Sequence, residues 1–151
     1  MNFLNITTKS SSETVRVGFK LGSLLKLRSK GGTVFLYGDL GAGKTTLIKG
    51  IASAFGIAER DIGSASFVIV IEHETFPPFY HIDLYRIENE EDVEAMGIWE
   101  YIDSGGVAVV EWAERLSESP EDAIKIKINY IDENSRQIFI EGIDEADWNN
   151  M

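Results

Sequence analysis

The chain has no cysteine among its 151 residues, which excludes a disulfide frame, a thiol nucleophile and thiolate metal ligation. Two histidines are too few for the usual zinc sites. No apolar run approaches the roughly 18 residues of a membrane-spanning helix. The opening MNFLNITTKSSSETVR lacks the basic start and apolar centre of a secretory signal, so a cytoplasmic protein with no membrane association is expected. Basic residues are scarce: 14 Lys and Arg face 25 Asp and Glu, a formal net charge of -11. That is the reverse of the footprint needed to grip a nucleic-acid backbone, and autonomous nucleic-acid binding is not expected. The acidic excess keeps the chain soluble, or else offers an acidic face to a basic partner.

Hydrophobic residues make up 44% and charged residues 26%, enough for one domain over 1–151 with a real core. Repeats, low-complexity tracts and linkers are absent. Ser10 and Glu13 are spaced as a capping box, and Val17, Leu21, Leu24 and Leu25 recur at helical spacing, predicting an amphipathic helix over 11–28 that Gly31 and Gly32 end. TVFLY (33–37) suits a buried strand. Leu47, Ile48, Ile51 and Phe55 mark one face of a second helix, with Gly56 placed as its C-terminal cap.

FVIVIE (67–72) and FYHIDLY (79–85) read as strands around a turn containing Pro77 and Pro78, and the acidic stretch 89–96 reads as a helix ended by Gly97. VAVVEW (107–112) is another strand for the sheet interior, and 123–131 with 137–143 form a hairpin around DENS. The tail at 144–151 is expected to be loose. The sum is an α/β domain of P-loop NTPase type: a mostly parallel central sheet flanked by helices, with an antiparallel C-terminal addition.

Residues 38–45, GDLGAGKT, fit G-x-x-x-x-G-K-[ST]. Gly38, Gly41 and Gly43 let the backbone curl so that successive N–H groups face inward, and with a helix N-terminus they form a concave site for phosphate oxygens. The loop Gly38, Asp39, Leu40, Gly41, Ala42, Gly43, with Lys44, Thr45 and Thr46 opening the helix, is the candidate nucleotide site. Lys44 can reach the β- and γ-phosphates and the Thr45 hydroxyl can hold Mg²⁺. The alternative, a Gly-rich turn with an incidental lysine, is disfavoured because the flanking strand and helix are both legible.

Hydrolysis needs acidic groups at strand ends as well. Asp83 shares one strand face with His81 and Tyr85, while Glu111 closes the apolar run VAVV in the manner of a Walker-B acid. Each can instead be an ordinary polar residue capping a strand. Trp112, at the same sheet edge, can lie against a nucleotide or simply pack. Arg86 and Arg115 follow the two acids closely, and a surface ion pair is the default role for both. A lone strand histidine such as His81 is more often packed and hydrogen-bonded than a proton shuttle. A GTPase switch is poorly supported, since N-K-x-D is missing and DSGG (103–106) precedes its strand where D-x-x-G should follow one. An arginine-rich lid and an LSGGQ signature are also missing.

In order, GDLGAGKTT (38–46), SASF (64–67), YHIDLYR (80–86), MGIWEYID (96–103) and VVEWAERL (109–116) make the chain resemble the TsaE family, also called YjeE: small bacterial P-loop ATPases of tRNA threonylcarbamoyladenosine biosynthesis. The resemblance implies ATP or ADP and Mg²⁺ as ligands, with phosphate held by Lys44, metal served by Thr45 and Asp83, Glu111 catalytic and Trp112 near the nucleotide. It implies TsaD and TsaB as partners, tRNA being met only through them. Where the family usually reads S-P-T-[FY], this chain has Ser64, Ala65, Ser66 and Phe67. Ser66 keeps a hydroxyl for a switch-like contact, while Ala65 gives up the fixed φ of proline and leaves the loop freer. If Ala65→Pro changes neither nucleotide affinity nor turnover, that reading is wrong. Two other functions fit the residues: a nucleotide-dependent binding module for which hydrolysis is incidental, and a small-molecule P-loop kinase.

Overall fold

The computed structural model describes residues 3–28, 31–39, 41–63 and 69–150. Its first elements are strand β1 (Phe3–Thr8), helix α1 (Ser11–Lys26), strand β2 (Gly32–Tyr37) and helix α2 (Lys44–Ser53). The Ser10 side chain caps α1 by accepting from the Glu13 N–H at 3.1 Å, while the Glu13 carboxylate reaches back to the Lys9 N–H, one residue earlier than a strict capping box would take it. The remainder comprises β3 (Val70–His73), β4 (Phe79–Asp83), α3 (Glu90–Ala95), α4 (Ile98–Ile102), β5 (Val107–Glu111), β6 (Ile124–Tyr130), β7 (Arg136–Glu141) and α5 (Glu145–Asn149).

Among the described residues, seven strands form one sheet in the order β1-β7-β6-β2-β5-β4-β3. The pairs β6/β2, β2/β5 and β5/β4 are parallel, and β1/β7, β7/β6 and β3/β4 are antiparallel. A mostly parallel centre with antiparallel margins is the expected α/β architecture. The centre is apolar on both faces because helices cover both. Val34, Leu36, Val107, Val109 and the β6 isoleucines pack with α1 and α2, while Phe35, Ile82, Ala108 and Val110 pack with Val93, Ile98 and Ile102 of α3 and α4.

Several expectations change. The strand expected over 67–72 runs from Val70 to His73, and Phe67 and Val68 lie outside the described residues. The strand expected to Tyr85 ends at Asp83, and the one expected to Trp112 ends at Glu111, because Trp112 turns into the left-handed region at φ 59°. β1 and α4 add elements that the sequence patterns did not indicate. The tail is not loose through 149: Asp144 caps α5, and Trp148 is buried in the α1/α2 core with the Lys20 ammonium 4.4 Å from its ring centroid. Burying the indole offsets a large part of the entropy lost in ordering this single helical turn.

Candidate nucleotide site

β2 delivers the chain to the carboxyl edge of the sheet, and residues 38–43 turn it back into α2. Gly38, Gly41 and Gly43 all have positive φ, at 151°, 78° and 106°. A Cβ on Gly38 would meet the Ile128 carbonyl oxygen at 2.7 Å, and one on Gly43 would meet Arg136 Nε at 3.2 Å, so the curl is built for glycine. Asp39 is exposed and Ala42 buried, and the Ala42 N–H donates to the Asp39 carbonyl at 3.1 Å. Leu40 lies outside the described residues.

Lys44 opens α2 and is 5% exposed. Its ammonium donates to the Gly38 carbonyl and stands 3.6 Å from the centroid of the Trp112 ring. Burial pushes Lys44 below the ordinary lysine range, and Glu111, Glu114, Asp83 and Asp39 pull it back. Thr45 and Thr46 are half-buried in the same first turn.

Strand register brings the two acids together. Asp83 pairs with Glu111, and Glu111 with Leu36, the residue two before Gly38. Both carboxylates therefore stand on the face of the sheet that carries α2, at adjacent strand ends. Burial lifts the Asp83 carboxyl above its usual range, the Tyr85 N–H bonded to its Oδ1 at 3.0 Å offsets part of this, and Glu111 adds to it. Glu111 is 5% exposed, and its Oε2 lies 2.7 Å from Nε2 of His81, which is itself 1% exposed. Trp112 sits among Lys44, Tyr85 (rings 5.1 Å apart) and the Arg115 guanidinium at 5.8 Å. Arg115 also donates to the Tyr85 carbonyl at 3.4 Å, so it belongs to this aromatic corner instead of a surface ion pair. Arg86 is exposed. Ser66 and its neighbours Ser64, Ala65 and Phe67 lie outside the described residues.

Arg136 was not indicated by any sequence signal. It leads β7, and its Nη1 bonds the Asp132 and Ser135 carbonyls at 2.6 and 2.9 Å. Its Nε is buried without a hydrogen-bond partner among the described residues, close to where Gly43 bends. With Ser11, Thr14, Gly43, Thr46 and Asn134 it lines a narrow cleft of about 20 Å³ between α1, the loop and the β6–β7 turn. A basic residue after a turn is too common to be singled out; only the packing of the hairpin against the loop gives it meaning.

The geometry can gather negative charge on loop amides, one buried ammonium and a helix start, with two carboxylates within reach of the same edge. A wound parallel sheet with a glycine-rich loop joining its central strand to a helix defines the structural class. The comparisons with known proteins agree on the family. The family described as "Threonylcarbamoyl adenosine biosynthesis protein TsaE" matches residues 8–138, and this chain belongs to it. Proteins called tRNA threonylcarbamoyladenosine biosynthesis protein TsaE are 40% identical in Nostoc sp. (82% of this chain, 76% of theirs) and 35% identical in Treponema pallidum (91% and 99%). The crystal structure of Bacillus subtilis YdiB superposes with a TM-score of 0.72 at 31% identity, over 92% of this chain and 84% of that one.

Proposed function

We propose that this protein is a Mg²⁺-dependent ATPase serving the TsaD–TsaB complex in threonylcarbamoyladenosine modification of the tRNA adenosine next to the anticodon. Family membership supports the pathway. The observation that carries the activity is the pairing of Asp83 with Glu111 beside β2, whose loop leads into the buried Lys44. The residues fit the implied ligands. The loop curls at positive φ at Gly38, Gly41 and Gly43, with Gly38 and Gly43 packed too close to Ile128 and Arg136 to admit a Cβ, Lys44 is a buried cation held by a carbonyl and a ring, and Thr45 and Asp83 are hard oxygen donors of the kind Mg²⁺ takes.

Thr45 and Asp83 would hold the Mg²⁺, which would supply neutralisation of phosphate charge. Loop amides and Lys44 bind and orient the phosphates, Trp112 closes one side, and Glu111 orients or deprotonates the attacking water. The acidic chain leaves tRNA contact to its partners.

The test is phosphate release from ATP by the protein alone and with purified TsaD and TsaB, beside a nucleotide titration. Lys44→Ala is expected to weaken ATP binding at least 10-fold. Glu111→Ala is expected to leave binding within about 3-fold and to lower turnover by roughly 100-fold or more. The reverse pattern refutes the assignment. ATP bound with no release in any mixture makes the protein a nucleotide-dependent binding module, and phosphate found on a metabolite makes it a kinase.

A further inference from the structure

We infer that His81 is a positioning residue for the Glu111 carboxylate, holding one oxygen by a rigid buried N–H so that the other is aimed at the water to be activated. This rests on the hydrolytic reading above.

In register His81 is opposite Val109, not Glu111, so its ring reaches along the sheet face to the next same-face residue of β5. The contact is thus a diagonal one, closed at 2.7 Å. Glu111 is the last residue of β5, and Trp112 leaves at φ 59°. A carboxylate at a strand end has a flexible arm and no further strand to fix it. His81 is in mid-strand, 1% exposed, with its ring locked by packing. Orientation is therefore transmitted from the ring to the carboxylate.

The hydrogen-bond inventory argues against a purely structural histidine. Buried polar atoms in a histidine kept only for packing are normally both satisfied. Here Nδ1 is buried with no partner among the described residues, and Nε2 is committed to Glu111. A carboxylate only accepts, so Nε2 carries the proton and Nδ1 is left as an unsatisfied acceptor. The ring's tautomer is set by Glu111 alone. The cost of this unsatisfied nitrogen is carried beside the Glu111 carboxylate.

The experiment compares wild type, His81→Leu, His81→Gln, His81→Asn and Glu111→Ala by phosphate release with TsaD and TsaB and by ATP titration. Gln can place an N–H where Nε2 stands; Asn is one bond too short. Expected are a fall in kcat of roughly 10- to 100-fold for Leu and Asn, ATP affinity within about 3-fold of wild type, most of kcat retained in Gln, and no further loss when His81→Leu is added to Glu111→Ala. Should the Leu protein fail to fold, the Gln and Asn pair decides. Equal kcat in Gln and Asn, or a loss confined to ATP affinity, overturns the inference. If wild type turns over and His81→Leu matches it, His81 alone is misassigned; if wild type releases no phosphate, the hydrolytic reading fails and the inference falls with it.

Discussion

Gly50→Ala should destabilise the fold although it replaces glycine with the best helix former. Gly50 lies in α2 and faces α1 at backbone range: a Cβ there would stand 2.1 Å from the Val15 carbonyl oxygen and 3.0 Å from the Gly18 Cα, where ordinary contact begins at 3.4 Å. The struck atom is main chain and cannot swing away, so the helices must part by about 1 Å. Overpacking of this kind costs about 1–3 kcal/mol. A gap of that width also forfeits a quarter to a half of the dispersion well along the seam, which includes Leu21, Leu25, Leu47 and Ile51, all buried. The opposing gain in helix propensity is about 1 kcal/mol.

With the overpacking cost at its upper end, because the struck atom is main chain, the net is a loss of about 2 kcal/mol, or roughly 4–8 °C in Tm for a domain of this size. Urea unfolding followed by circular dichroism should show a lower midpoint with an unchanged slope. Gly63→Ala, where a Cβ meets nothing within 4 Å among the described residues, should be near neutral. A Gly50→Ala protein as stable as wild type, or more so, refutes the close-approach argument and leaves propensity as the controlling term. Because α2 begins with Lys44 and Thr45, the same variant should bind ATP more weakly when folded.

Two other perturbations probe the site and the tail. Asp83→Asn should raise Tm at neutral pH in the absence of nucleotide by about 1–2 °C, since it removes one of two like charges paired across neighbouring strands. Burial raises the Asp83 carboxyl, so its stabilising contribution is fully present below the ordinary aspartate range and is lost as pH rises through its folded value; the advantage of Asn should therefore vanish on acidification, and a constant difference across a pH series of thermal melts contradicts it. Trp148→Ala should cost about 3 kcal/mol, at the low end for a buried indole because a terminal helix can settle over the gap. A melt within 2 °C of wild type would mean that α5 is not holding the α1/α2 face closed.

What was legible in the sequence was local. GDLGAGKT carries its own geometry, because glycine spacing, flanking strand and following helix all lie within some twenty residues. Asp83 could be picked out as an acid on the polar face of the strand pattern FYHIDLY, and Glu111 because a carboxylate ending an apolar run is conspicuous. Their adjacency was not, since it depends on β4 and β5 lying side by side in a particular register. β1 escaped because its partner β7 lies at the other end of the chain, with Phe3 opposite Glu141, and FLNITT has too weak an alternation to declare itself. α5 is five residues, mostly polar, that include one tryptophan, a pattern that acquires meaning only when Lys20 and the α1 face are present to receive it. Arg136 and the His81–Glu111 contact were hidden for the same reason: each is a product of strand pairing, and a residue type alone does not announce a non-local neighbour.

The electrostatics of the site follow from position more than from composition. A chain of net charge -11 has little long-range attraction to offer a polyphosphate, so the binding power must lie in short-range, oriented groups. The partners that Lys44 has bear on this. Had its ammonium been locked to a buried carboxylate, an arriving phosphate would have had to break a pair whose disruption costs about 3–5 kcal/mol. It is held instead by the Gly38 carbonyl and the Trp112 face, contacts worth about 1.5–3 and 0.5–2 kcal/mol, while Glu111, Asp83, Glu114 and Asp39 oppose its loss of charge from a distance. The carboxylates keep the lysine cationic without occupying it. A buried charge with exchangeable partners, at the start of α2 and beside a glycine-rich loop, is already arranged for an anion, and the negative charge of the rest of the molecule works against every anion that cannot use those few groups.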